Sequence, residues 1–165
     1  MKKVGIWGAV MILLSASIAF TADKADFDEV VAFEQTLKSL ALSVRGEVDP
    51  PPEDTALIFD GIISGVRVIE PEEDGFRARI EVVSGEWREL EEIMLYKAYV
   101  EISGPDFFRR VPSRANREPS GGVLEANRRV VVAGSFAGET VQEEGSDEDD
   151  PPVPVVEGFY IRTIE

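Results

Sequence analysis

Six arginines gather in one short interval, Arg109, Arg110, Arg114, Arg117, Arg128 and Arg129, opposed there only by Glu118 and Glu125. A guanidinium presents a planar fork of donors that matches the oxygens of a carboxylate or phosphate. The interval therefore reads as a candidate binding patch for a small anionic ligand or an acidic partner surface, unless these arginines neutralise the chain's own acids or stand in solvent. The acids are abundant. Glu143-Glu144-Gly145-Ser146-Asp147-Glu148-Asp149-Asp150 could offer oxygens to Ca²⁺, yet it lacks the Asp-x-Asp-x-Asp-Gly spacing that makes ligands converge, and it reads as a solvated acidic loop. Tyr96, Tyr99, Phe107 and Phe108 could form a stacking face, but their alternation with apolar residues assigns at least half of them to packing.

Catalytic chemistry has little to work with. Histidine and cysteine are both absent, which removes thiol nucleophiles, imidazole acid–base steps, disulfides and the commonest metal ligands together. Past the N-terminal segment the lysines are Lys24, Lys38 and Lys97, none in a Ser-x-x-Lys pattern, so no catalytic residue, metal site or cofactor is assigned. A hydrolase working through a pair of carboxylates is the enzymatic alternative.

The elements that must position these residues begin with an export-like segment. Met1-Lys2-Lys3 leads into an apolar run from Val4 to Phe20 that contains Gly5, Gly8, Ser15 and Ser17 and ends in small residues. Basic start, apolar centre and small-residue exit are the pattern of a signal peptide, with cleavage expected after Ala19, or as late as Ala22. The run is short of the roughly 20 apolar residues of a membrane span, so an uncleaved N-terminal anchor is the second reading. This predicts an exported protein, periplasmic or secreted, or alternatively a structural envelope protein held by its N-terminus. The chain carries 17 basic and 32 acidic side chains, a net charge of −15. Like charges repel, and this balance disfavours nucleic acid and anionic membranes as partners.

From Asp26 to Gly46 the apolar residues Val30, Phe33, Leu37, Leu40, Ala41 and Val44 recur at helical spacing, which predicts one amphipathic helix over 26–46. Residues 47–55, with Pro50-Pro51-Pro52, read as a stiff connector. Beyond it the period becomes two. A long first strand runs from Leu57 to Ile69, with Gly61 and Gly65 marking a bulge or bend. Phe76, Ala78, Ile80 and Val82 alternate with Arg77, Arg79 and Glu81 in a second strand. Met94, Tyr96, Ala98, Val100 and Ile102 alternate with Leu95, Lys97, Tyr99 and Glu101 in a third. A proline- and glycine-rich interval from Gly104 has room for one helical turn at Asp106 to Val111. A fourth strand follows around Arg128 to Phe136, an acidic loop spans 139–152, and a fifth strand carries Val153, Val155, Phe159 and Ile161 on one face and Val156, Tyr160 and Ile164 on the other.

This order of elements, mainly β with one preceding helix, resembles the OB-fold, a five-stranded Greek-key barrel, over about residues 56–164. The turn-then-strand segment Leu124-Glu125-Ala126-Asn127-Arg128-Arg129-Val130-Val131-Val132-Ala133-Gly134 is similar to the one OB domains often show after their helical interval. The resemblance is architectural, carries no family-specific motif, and points most nearly to exported bacterial OB-like domains; a β-sandwich is the alternative fold. The charge departs from nucleic-acid-binding members, and fold alone does not confer their function. The expectation is a non-enzymatic binding or adaptor module of the cell envelope whose partner is an envelope protein or small anionic ligand.

Overall fold

A computed structural model describes residues 31–32, 34–52, 55–89, 92–143, 145 and 150–164. The signal-peptide or anchor segment lies outside the described residues, as does the start of the predicted helix. No helix among the described residues is long and apolar enough to cross a membrane.

Where the helical period begins, the backbone first makes a short strand, β1 (Val31–Ala32), parallel to the start of β2 (Ala56–Glu70). The helix α1 is confined to Leu37–Ser43. Thr36 sets its start: extended at φ −114, it accepts a hydrogen bond from the Ser39 amide at 3.1 Å, while Ser39 Oγ accepts from the Thr36 amide at 2.8 Å. This reciprocal cap satisfies two donors that a longer helix would have left inside its own ladder. Gly46, at φ +71, receives the chain as it leaves the last turn. Leu37, Leu40 and Ala41 are buried against the barrel, and Lys38 pairs with Glu86 at the rim.

Five strands close a ring. β2 pairs antiparallel with β3 (Arg77–Arg88), β3 with β4 (Glu92–Ser103), β4 parallel with β7 (Val153–Ile164), and β7 antiparallel with β5 (Arg129–Ser135), which returns to β2. That order, with its single parallel pairing, is the OB-fold barrel. A fifteen-residue first strand makes closure possible, because its first half pairs with β5 up to Ile62 and its second half with β3 from Ile62 onward. The turn between the halves uses a register shift between Ile63 and Gly65, and Gly61 lies so close to β3 that a Cβ there would meet Val82 Cγ1 at 2.5 Å.

The barrel interior is filled by the inward set Ala78, Ile80 and Val82 of β3, Ala98, Val100 and Ile102 of β4, and Val130 and Val132 of β5. On β7 the alternation breaks. Val156 and Ile161 are both buried although four residues, an even number, lie between them, and the register shift opposite Ala133 and Gly134 absorbs the difference, leaving Phe159 and Tyr160 exposed. Phe159 and Ile161 therefore do not share a face, contrary to the period-two reading. One end of the barrel is plugged by Phe76, by α2 (Pro105–Phe108) and by an irregular segment that buries Val111 and Leu124. A two-residue strand, β6 (Thr140–Val141), pairs with the start of β7 inside the segment read as an acidic loop.

Candidate functional site

Three of the six arginines of the 109–129 interval form ion pairs with the chain's own acids. Arg109 lies 3.7 Å from Asp106, Arg128 3.3 Å from Glu125, and Arg129 2.7 Å from Asp60 on β2. Arg110 donates Nε to the Gly122 carbonyl at 3.1 Å, and burial pushes its guanidinium below the ordinary value, with Tyr160 opposing. Arg114 and Arg117 are exposed on the segment that plugs the barrel. Among the described residues, the ion-pair partners of this group are Asp106, Glu125 and Asp60.

The outer face of β3 and β4 brings together a different set. Because alternate residues point to opposite sides of a strand, burying Ala78, Ile80 and Val82 turns Arg77, Arg79 and Glu81 outward. Burying Ala98, Val100 and Ile102 does the same for Lys97, Tyr99 and Glu101. Register then sets Arg79 opposite Glu101, Glu81 opposite Tyr99 and Val83 opposite Lys97, while β2 adds Arg67 beside Arg79. Arg79 reaches Glu101 Oε1 through Nε at 3.1 Å and Nη2 at 2.6 Å, and its guanidinium carbon lies 5.3 Å from the centre of the Tyr99 ring. A shallow groove follows this row, lined by Gly65, Arg67, Arg79, Glu81 and Tyr99.

Lys97 and Tyr99 share one more partner. Glu143, just past β6, receives Lys97 Nζ at 2.8 and 3.0 Å and the Tyr99 hydroxyl at 2.6 Å. Hydrogen bonds from Lys97 and then Tyr99 hold the Glu143 carboxyl below its ordinary range. Burial first, then the Glu143 hydrogen bond and charge, pushes the Tyr99 phenol from 10.0 up to about 12. A raised pKa means the fold favours the neutral phenol, so its contribution to stability is complete below pH 10.0 and disappears as pH rises through about 12. Ultraviolet absorbance titration should accordingly show a Tyr99 phenolate forming near 12, and titration at the ordinary value would mean that neither the burial of Tyr99 nor its Glu143 contact persists in solution.

Farther along the same hairpin the face turns apolar. Trp87 lies opposite Ile93 and Gly85 opposite Leu95, and Trp87 is 68 % exposed. Sequence reasoning left this stretch unassigned and missed Arg79 and Lys97 as a pair, although the polar half of each alternating strand was the signal that would have found them. Among the described residues no two buried carboxyl groups exist to serve the hydrolase alternative, since Thr55 is the buried polar residue there. Nor is there a cluster of three or more acids among them that could hold a metal ion.

No family model matches the chain, and no curated protein matches it in sequence. Solved structures do resemble it. A single-stranded DNA-binding protein of Plasmodium falciparum, in complex with single-stranded DNA, is 11 % identical over 72 % of this chain and 99 % of its own, with a TM-score of 0.44. A deletion mutant of the single-stranded DNA-binding protein from Thermus aquaticus is 14 % identical over 67 % of this chain, with a TM-score of 0.43, and the chain spans about half of that protein's length. The small single-stranded DNA-binding protein from Streptomyces coelicolor is 14 % identical over 66 % of this chain and 93 % of its own, at a TM-score of 0.35. The likeness is one of fold. Two expectations are corrected by this finding, that of an exported envelope adaptor for a protein or small anionic ligand and that of nucleic acid as a disfavoured partner. The physical reason is that the charge argument summed over the whole chain, and a sum does not describe one face of the barrel, where Arg77, Arg79 and Lys97 stand balanced by Glu81 and Glu101.

Proposed function

We propose that this chain is a non-enzymatic binding module that receives single-stranded nucleic acid on the outer face of β3 and β4. The observation that carries the reading is the Arg79 guanidinium against the Tyr99 ring, with Lys97 next along β4 and Trp87 exposed on the same face. Single strands are held by cations that follow the phosphates and by aromatic rings on which unpaired bases stack, and this face offers both. In five-stranded barrels of this type the second and third strands, here β3 and β4, form the surface that meets oligonucleotides. The barrel supplies the platform and the side chains supply the function. Glu81 and Glu101 hold the cations in place between the strands and keep the face near neutral, so contact with bases carries more of the affinity than charge does.

Fluorescence anisotropy of a labelled oligothymidylate of about twelve nucleotides, within the size range such barrels cover, tests the reading. The full chain should bind it more tightly than a duplex of equal length, whose base faces are hidden. Three engaged cations give a slope of log affinity against log salt of about −2, and Lys97→Ala should make it shallower by about 0.7. Failure to bind the single strand at about 50 mM salt, where such contacts are strongest, would overturn the proposal.

A further inference from the structure

We propose that Glu143 is a built-in competitor for phosphate: its carboxylate sits on the Lys97 ammonium and Tyr99 hydroxyl that a nucleic-acid phosphate would use, so a strand binds by displacing it. The inference rests on the reading of the β3–β4 face given above. A carboxylate and a phosphate diester both present two oxygens that share negative charge, and Glu143 uses both of its own on Lys97 while Oε1 also takes the Tyr99 hydrogen bond.

The position of Glu143 is built into the fold. Thr140 and Val141 pair with Pro154 and Val153, and Gln142 Nε2 donates to the Asp150 carbonyl at 3.0 Å. These bonds close the base of the loop and deliver residue 143 to the edge of β4, next to the cations. The contact is nevertheless displaceable, because the Glu143 side chain is 37 % exposed and Lys97 30 % exposed, and ion pairs of that kind are weak. Glu81 Oε2, 3.8 Å from Lys97 Nζ, keeps that ammonium oriented when Glu143 leaves. A single phosphate gains too little at Lys97 to replace a tethered carboxylate. A polyanion that also stacks on Tyr99 and Trp87 gains enough, so the competitor selects strands over mononucleotides.

The test titrates wild type, Glu143→Gln, Glu143→Ala and Glu118→Gln with the labelled oligothymidylate and with thymidine monophosphate as competitor. Glu118→Gln removes one negative charge from the exposed segment between β4 and β5 and controls for net charge. Freeing Lys97 from an exposed pair should tighten the oligonucleotide by about two- to fivefold in both Glu143 variants and not in Glu118→Gln. The monophosphate should become a measurable competitor only in the Glu143 variants. Equal tightening in Glu118→Gln, or unchanged affinity in the Glu143 variants while wild type binds, overturns the competitor role and leaves the nucleic-acid reading standing. No binding by any of the four overturns both. In that case a Tyr99 titration that moves down from about 12 in Glu143→Gln, while burial still holds it above the ordinary value, would verify the contact itself.

Discussion

Truncating Phe76 to alanine is expected to destabilise the barrel by about 3–5 kcal/mol, the range for removing a fully enclosed aromatic side chain. Phe76 has no exposed surface, and its ring meets Phe108 edge-on with centroids 5.7 Å apart. Its carbonyl accepts the Gly104 amide at 2.9 Å, which ties the start of β3 to the turn before α2. The residue therefore plugs the barrel and anchors the four-residue helix that covers the same end. That helix is too short to hold itself, so it depends on this contact. In a two-state urea titration the midpoint should fall with little change of slope, and the melting temperature should drop by roughly 15–30 °C. A loss below about 1 kcal/mol would show that Phe107 and Phe108 swing in to refill the space and that the plug is adaptable.

Phe76 was legible because it opens the cleanest period-two run in the chain, in which burial on one side forces Arg77, Arg79 and Glu81 to the other. The same logic exposed Lys97 and Tyr99 on β4. Their common partner could not be read, since Glu143 lies 46 and 44 residues away and reaches them only after β7 has laid the β6 hairpin beside β4. The arginine interval was legible as a cluster in sequence but not in its partners. Arg109 and Arg128 meet acids three residues back along the chain, whereas Arg129, at the start of β5, meets Asp60 only once β5 has paired with β2. Likewise the helical period of 26–46 carried no sign that Val31 and Ala32 would find a strand at Ala56 and Leu57, a pairing that exists only once β2 is in place. Net charge was the weakest guide, because a sum has no position.

Replacing Trp87 or Tyr99 with alanine should each weaken oligothymidylate binding by about 1–3 kcal/mol, roughly 5- to 150-fold, the range for losing one base–aromatic stack. The two rings belong to different parts of one track. Tyr99 faces Glu81 across the hairpin and Trp87 faces Ile93, so six residues of β3 separate the rows, about 20 Å at strand rise. No single base can touch both, and at that distance the two losses should add, making the double variant the largest functional effect expected of any pair. Neither substitution should unfold the barrel, because Trp87 is 68 % exposed and Tyr99 lies outside the core; circular dichroism of each variant checks this. Tyr99→Phe separates the two roles of that residue. It keeps the ring for stacking and removes the hydroxyl from Glu143 and from an incoming phosphate alike, so its affinity should stay close to that of wild type while Tyr99→Ala falls. If Tyr99→Ala weakens binding and Trp87→Ala does not, the strand is confined to the polar half of the face and the exposed hairpin end serves another purpose. If neither matters, the bases do not lie on β3 and β4, and Arg79 and Lys97 are ties between strands and nothing more.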